Sequence, residues 1–193
     1  MSIYLALGDS MSIDDYTGVE CGGAVKRFFR TLGDEWTLDD RTVDGCRMAN
    51  VPRDGRGDLI TLTIGGNDLL SNVEKYLREG LDSFAREHAK LLADLRRVNP
   101  TAILIVGDIY APATPLRDEA ARRLDEANAI IHQNCNRVGA LLAPIHASFR
   151  GHESTYLCFD IEPTFFGAGK IAALFEDAFR AVEAKPPGIR KSD

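Results

Sequence analysis

Two short segments of this chain combine glycines with residues that can take part in acyl-transfer chemistry. Gly8-Asp9-Ser10 follows the first apolar run, and Gly65-Gly66-Asn67-Asp68 follows a later one. A serine hydroxyl can attack a carbonyl carbon, and an asparagine amide can donate to the resulting oxyanion without adding charge. Taken alone, each segment is also explained as a turn with a helix-cap residue. A helix is expected to begin close behind Ser10, where its N–H groups would favour an oxyanion.

The elements that carry these segments alternate between short apolar runs and amphipathic stretches. Apolar residues at helical spacing predict one helix between Leu81 and Leu95 and another between Leu116 and Val138, and a last helix is expected over Gly167–Val182. A weaker strand is expected near Trp36–Leu38. Four runs have the length of buried strands: Ile3–Leu7, Leu59–Ile64, Ala102–Ile109 and Ala140–Ile145. This alternation predicts an α/β fold with a central parallel sheet of about five strands, covered by helices on both faces.

In such sheets ligands bind outside the carboxyl ends of the strands. The residues that follow each predicted strand are therefore the candidates for a site. They are Gly8-Asp9-Ser10, Gly65-Gly66-Asn67-Asp68, the loop Tyr110–Thr114, and the segment from His146 onward.

Composition limits the organisation of the chain and its partners. A length of 193 residues fits a single domain, expected over residues 1–184, with a flexible tail at 185–193. The net charge of −6 argues against nucleic acid or an anionic membrane as the main partner and leaves a small-molecule substrate open. The oligomeric state also stays open. We expect no signal peptide, and the four cysteines are interpreted as reduced thiols of a cytoplasmic protein.

The combination of motifs is more specific than its parts. Gly-Asp-Ser follows the first strand, Gly45 follows the second, and Gly-Gly-Asn-Asp follows the third. In this order the chain resembles the SGNH hydrolases, also called GDSL esterases and lipases, over nearly its whole length. The resemblance implies a flavodoxin-like three-layer α/β/α sandwich and hydrolysis of esters without a metal or an organic cofactor. It also implies that Ser10 is the nucleophile, and that the Ser10 and Gly45 N–H groups and the Asn67 side chain form the oxyanion hole.

The chain departs from the family pattern near its C-terminus. The family has an Asp-x-x-His-Pro stretch there, which completes a Ser-His-Asp triad. Here the corresponding segment is Phe159-Asp160-Ile161-Glu162-Pro163, so that Glu162 occupies the histidine position and Phe159 the aspartate position. A serine hydroxyl needs a nearby base to become a useful nucleophile, and the identity of that base is therefore open.

The missing histidine leaves three alternatives for the site. Glu162 itself can serve if burial raises its pKa from the usual value of about 4.3. Alternatively a histidine past the last strand can serve: either His152, with Asp160 or Glu153 orienting its imidazole, or the less favoured His146. In the third alternative catalysis is lost and the pocket remains as a binding site. His88 and His132 lie within helical patterns and are interpreted as structural or surface residues. For an active enzyme, short uncharged esters are the expected substrates.

Overall fold

The computed structural model describes residues 1–184, in which five parallel strands form the central sheet. The strands are β1 (Ser2–Gly8), β2 (Trp36–Thr42), β3 (Leu59–Thr63), β4 (Ile103–Gly107) and β5 (Leu141–Ala143). Their spatial order is β2-β1-β3-β4-β5, which is the flavodoxin-like order. This confirms the predicted fold class.

Eight helices surround this sheet in the described part of the chain. They are α1 (Ala24–Phe29), α2 (Gly66–Ser71), α3 (Val73–Glu79), α4 (Asp82–Val98), α5 (Asp118–Val138), α6 (Ile145–Phe149), α7 (Glu153–Tyr156) and α8 (Phe165–Glu183). A short 3-10 helix spans Met48–Asn50. Two short antiparallel strands, β6 (Leu157–Cys158) and β7 (Glu162–Pro163), form a hairpin outside the sheet.

Alternate residues of the inner strands pack on opposite helical layers. Leu5 and Leu7 of β1 belong to a core cluster with α4 and α5, whereas Tyr4 and Ala6 belong to a second cluster with α1 and α8. Because both faces of the strand are buried, its sequence is continuously apolar rather than alternating. Burial of each large apolar side chain contributes roughly 1.5–3 kcal/mol, so these two layers fix the position of the strand ends.

Strand β2 is longer than the sequence indicates. The weak strand expected near Trp36–Leu38 continues to Thr42 at the edge of the sheet. Its second half is polar, and Asp40 pairs with Lys26 (3.2 Å) while Arg41 pairs with Asp39 (2.8 Å). An edge strand that is only half buried does not need a continuous run of apolar residues. The second half of β2 therefore has no hydrophobic pattern from which a strand could be predicted.

The helix expected close behind Ser10 is absent from the described structure. The chain forms turns and bends from Asp9 to Gly23, and α1 begins only at Ala24. Side chains of this loop bind its own backbone: the Thr17 hydroxyl donates to the Asp14 carbonyl (2.8 Å), and the Gly23 N–H donates to the Asp14 carboxylate (2.7 Å). Such local bonds compete with helix formation.

Other boundaries move by a few residues. The predicted strand over Ala140–Ile145 ends at Ala143, because Pro144 is followed at once by α6. The last helix begins two residues before Gly167 and ends at Glu183. The tail predicted over 185–193 lies outside the described residues. Among the helices of residues 1–184, none is long and apolar enough to cross a membrane.

Candidate active site

The carboxyl ends of β2, β1 and β3 lie side by side and are joined by backbone hydrogen bonds. Gly8 is opposite Thr42 of β2 and Thr63 of β3. Beyond it, the Val43 N–H donates to the Gly8 carbonyl (3.0 Å) and the Asp9 N–H donates to the Thr63 carbonyl (3.0 Å). A side chain is not tolerated at Gly8, since its φ is +135° and a Cβ would lie 2.1 Å from the Thr63 oxygen.

Ser10 occupies the turn that leaves β1. Its side chain is largely buried, and it lines a cavity at this edge of the sheet. The turn is fixed on both sides: the Met11 N–H donates to the Asp9 carboxylate (3.2 Å), and the Ser12 and Thr63 hydroxyls are hydrogen-bonded (2.9 Å). The Ser10 hydroxyl is thus held on a rigid turn, as a nucleophile requires.

Asn67 lies in the first turn of α2, which begins after β3. Gly65, with φ of +108°, makes the sharp change of direction that starts this helix. The Asn67 side-chain amide donates to the Cys46 carbonyl (3.1 Å) and so connects α2 to the turn that contains Gly45. Because an amide nitrogen carries two hydrogens, one remains for a ligand. Gly45 has φ of +67° and is exposed. The three predicted oxyanion-hole residues therefore lie at neighbouring strand ends.

Glu162 on β7 is the candidate base that the structure brings to Ser10. Its side chain is 8% exposed, and its Oε2 atom has no hydrogen-bond partner within residues 1–184. Burial raises the pKa of the Glu162 carboxyl, an interaction with the Ser10 hydroxyl lowers it, and the charge of Asp44 raises it further. The net effect is a pKa above the usual value of a glutamate, which makes it a stronger base.

The hairpin that carries Glu162 is fixed to the loop after β4. Glu162 pairs with Cys158 across the two short strands. The Tyr110 hydroxyl donates to the Ile161 carbonyl (2.6 Å), next to Glu162, and the Tyr110 ring stacks on Phe149 at 4.7 Å between centroids. In the sequence Tyr110 follows a predicted strand, and no pattern there indicates a role for it.

The turn of this hairpin has an unusual backbone. Phe159 and Asp160 both have positive φ angles, +48° and +74°, which residues other than glycine rarely adopt. The Asp160 carbonyl accepts from the Ala113 N–H (2.8 Å) and its carboxylate accepts from the Thr114 N–H (2.7 Å). Strained backbone of this kind persists only where neighbouring contacts impose it, and it is frequent at functional sites.

Asp9 is a second buried carboxyl beside Ser10. It is 1% exposed, and burial raises its pKa to about 7, although hydrogen bonds from the Met11 N–H and the Thr63 side chain oppose the rise. The charge of Glu162 raises the pKa of Asp9 further, so that the two carboxyls are coupled. From the sequence alone Asp9 is explained only as a cap residue, because burial cannot be inferred from a Gly-Asp-Ser turn.

The structure does not bring His152 to Ser10. His152 is exposed just before α7, and its ring packs on Tyr156 (5.2 Å between centroids). The carboxylates expected to orient it bind elsewhere: Asp160 accepts from Thr114, and Glu153 accepts from the Gly151 N–H (3.0 Å).

The other three histidines also contact groups outside the site. The backbone N–H of His146 donates to the Asp108 carboxylate (2.7 Å), and the imidazole Nε2 of His146 lies 3.4 Å from the Asp125 carboxylate. His132 is 3.0 Å from the second oxygen of Asp108. His88 is fully buried, and desolvation lowers its pKa to about 4.

An apolar cavity of about 150 Å³ opens beside Ser10. Ser10 and Asn67 lie on its wall, together with apolar side chains of α2, α3, α5 and the loop after β4. In residues 1–184, no group of three or more His, Cys, Asp or Glu side chains is placed to hold a metal ion. The arrangement therefore offers a hydroxyl, a neighbouring carboxylate, an amide donor and an apolar pocket, which is a set suited to acyl transfer.

Comparison with known proteins assigns the chain to a family. Residues 6–165 match the family model described as GDSL-like lipase/acylhydrolase, and the chain belongs to this family of hydrolytic enzymes. A comparison with curated proteins finds no match.

Solved structures similar to this fold are esterases and lipases. A lipase from a goat rumen metagenome has a TM-score of 0.78 at 22% identity, over 92% of this chain and 97% of that chain. An acetylxylan esterase from Geobacillus stearothermophilus has a TM-score of 0.73 at 14% identity, over 99% of this chain and 97% of that chain. Phospholipase A1 from Streptomyces albidoflavus has a TM-score of 0.67 at 17% identity, over 92% of this chain and 99% of that chain. At these identities the likeness concerns the fold.

Proposed function

We propose that this protein is a serine acyl hydrolase that cleaves small or short-chain esters through an acyl-enzyme on Ser10, with Glu162 as the general base. One observation carries the proposal: Glu162 is buried, the Ser10 hydroxyl lowers the pKa of its carboxyl, and its Oε2 atom has no hydrogen-bond partner within residues 1–184. A carboxylate in this state has a site ready to accept a proton.

In the first half of the reaction, ionised Glu162 accepts the Ser10 proton while the Ser10 oxygen bonds to the ester carbonyl carbon. The carbonyl oxygen becomes an oxyanion, which the Ser10 N–H, the Gly45 N–H and the Asn67 amide stabilise. The intermediate then collapses: the bond to the alcohol breaks, and the alcohol leaves with the proton held by Glu162. An acyl ester on Ser10 remains.

In the second half, water replaces the alcohol. Glu162 takes a proton from the water as its oxygen attacks the acyl carbon, and the same donors stabilise the second oxyanion. Collapse breaks the bond to Ser10, and Glu162 returns its proton to the Ser10 oxygen. The products are a carboxylic acid and regenerated enzyme, so the cycle needs no cofactor.

The electrostatics of the site adjust a glutamate to this task. An unperturbed glutamate is a weak base at neutral pH. Burial raises the pKa of Glu162 towards the working pH, where a general base is most effective. Because burial raises the pKa of Asp9 to about 7, Asp9 is protonated in mildly acidic solution and then places no negative charge beside Glu162.

The competing hypothesis is a binding protein that has lost catalysis and kept the pocket. The replacement of the family's histidine by Glu162 favours it. Initial rates of p-nitrophenyl acetate and butyrate hydrolysis distinguish the two, measured from pH 5 to pH 9 for the wild type, Ser10→Ala and the exposed-serine control Ser154→Ala. The proposal predicts turnover that rises with pH as Glu162 ionises, is lost in Ser10→Ala, and is kept in Ser154→Ala. Equal inactivity of the wild type and Ser10→Ala favours the binding protein.

We also propose a cytoplasmic location. The four cysteines are free thiols, a state that a reducing compartment maintains. Cell fractionation with thiol labelling tests this: the protein is expected in the cytoplasmic fraction with all four thiols reactive after unfolding. Recovery with oxidised cysteines from another compartment would reject it.

A further inference from the structure

We infer that the cavity beside Ser10 is an acyl-chain pocket that discriminates esters by acyl length up to about six carbons, and that Ala120 sets its depth. This inference rests on the proposed function and makes its substrate class more specific. It separates this chain from an enzyme built for acetyl groups alone.

The position of the cavity identifies the part of the substrate it would hold. Ser10 lies on its wall, so a chain attached to the attacked carbonyl carbon enters it directly. The remaining wall is mostly apolar and comes from α2, α3, α5 and the chain between β4 and α5, with Leu69, Leu70, Val73, Leu116, Ala120 and Leu124 among its residues. An apolar wall favours a hydrocarbon chain over a sugar or a charged group.

The volume of the cavity limits the length of that chain. It measures about 150 Å³. An apolar protein cavity of this size accommodates a molecule such as benzene, with six carbon atoms. We therefore expect each added methylene to improve the fit up to about six acyl carbons.

The walls are fixed before any ligand binds. Arg123 of α5 donates to the Leu77 carbonyl of α3 (3.4 Å), which joins the two helices, and it also pairs with Glu126 of its own helix (2.6 Å). The Asn128 amide makes two hydrogen bonds with the Ile109 backbone (2.9 and 2.8 Å), which fixes the loop after β4. A preformed pocket binds a chain with little ordering cost.

One side of the cavity is open. Leu70 and Val73 lie on its wall and remain 52% and 43% exposed. The carbons of a longer chain would leave the cavity along these side chains. The preference for longer chains should therefore level off beyond about six carbons rather than reverse.

Ala120 offers a direct way to shorten the pocket. It lies on α5, lines the cavity and is half-buried. Ala120→Leu adds three carbon atoms, about half of the six that a cavity of this volume holds. Ala129 lies on the same helix and is exposed, so Ala129→Leu is a control with the same substitution away from the cavity.

The first test compares kcat/KM for p-nitrophenyl esters from acetate to decanoate. For the wild type we expect a rise of roughly fourfold per methylene up to hexanoate, followed by a plateau. The ratio of hexanoate to acetate kcat/KM should fall at least tenfold in Ala120→Leu and stay unchanged in Ala129→Leu. A wild-type profile that is flat or highest for acetate would overturn the inference while leaving the hydrolase intact, as would equal effects of the two variants.

A second test measures binding without turnover, so that failure of the proposed function is recognised separately. Dissociation constants of alkan-2-ones, from butan-2-one to decan-2-one, can be measured by NMR titration. Binding that strengthens up to the six-carbon chain in the wild type, and not in Ala120→Leu, supports the pocket even if no ester is cleaved. Binding that does not depend on chain length overturns it.

Discussion

Replacement of Glu162 by glutamine isolates its proposed chemical role. Glutamine has nearly the same shape and can still hydrogen-bond to Ser10, but it cannot accept the proton from the hydroxyl. The oxyanion donors at Ser10, Gly45 and Asn67 are untouched, so the loss should be that of a general base. We expect kcat for p-nitrophenyl butyrate to fall roughly 100- to 10,000-fold at pH 8.

The same substitution should make the protein more stable. In the wild type at pH 8, Glu162 carries a buried charge, one of its oxygens has no hydrogen-bond partner in the described part of the chain, and the charge repels Asp9. Removing that charge should raise the free energy of unfolding by about 1 kcal/mol. For a chain of this size, that is a rise in Tm of roughly 2–4 °C.

The pH dependence of this stabilisation has a definite sign. The folded-state pKa of Glu162 is raised, so the folded protein holds its proton more tightly than the unfolded chain does. The cost of the charge is therefore present above the raised pKa, and it disappears as pH falls to the ordinary glutamate value. The advantage of Glu162→Gln should be greatest at pH 8 and absent near pH 4.

Two results would refute this reasoning, with Glu20→Gln as an exposed control. Turnover of Glu162→Gln within threefold of the wild type would show that another group removes the proton. A loss of turnover together with a lower Tm would show that Glu162 supports the structure rather than the chemistry.

Three further predictions follow from other contacts of the site and the core. Asn67→Ala should lower kcat at least 100-fold, because it removes an oxyanion donor. Tyr110→Phe should lower the free energy of unfolding by about 1–3 kcal/mol and also reduce kcat, because the Ile161 carbonyl beside Glu162 loses its donor. Desolvation lowers the folded-state pKa of His88 to about 4, so the unfolded chain binds more protons between pH 6.5 and pH 4; the free energy of unfolding should fall by about 3 kcal/mol across that interval.

Each of these predictions has its own control. The control Asn72→Ala changes the residue at the other end of α2 and should keep wild-type turnover. If Asn67→Ala turns over as fast as Asn72→Ala, Asn67 has no part in the mechanism. Tyr156→Phe serves as the tyrosine control, and an unchanged Tm in Tyr110→Phe would contradict the role of its hydroxyl. Denaturant titrations of His88→Gln should lose the fall between pH 6.5 and pH 4, whereas His152→Gln should keep it. A wild-type curve without that fall would show that His88 is not the cause.

The strand ends were predictable from the sequence because parallel sheets follow simple rules. Buried strands appear as apolar runs, and their carboxyl ends meet at one edge, so Ser10 and Asn67 were expected to lie together. Gly45 was added to them by the family resemblance. The structure places them at the ends of β1, β2 and β3. The α/β fold and the family membership are likewise confirmed.

The environment of the base was not predictable in the same way. Strands β6 and β7 have two residues each, too few for any periodic pattern. Their placement depends on the bond from Tyr110 to Ile161, about fifty residues away in the chain, and on an aspartate with positive φ. For this reason the sequence left Glu162, His152 and His146 open, while the structure brings Glu162 alone of these to Ser10.

Labelling with a fluorophosphonate, followed by intact-protein mass spectrometry and peptide mapping, tests the central claim most directly. The account predicts one phosphonyl group per chain, on the peptide that contains Ser10, and no labelling of Ser10→Ala. Glu162→Gln should be labelled much more slowly than the wild type. An unlabelled wild type, or a label on another residue, would contradict the assignment of Ser10 as the nucleophile.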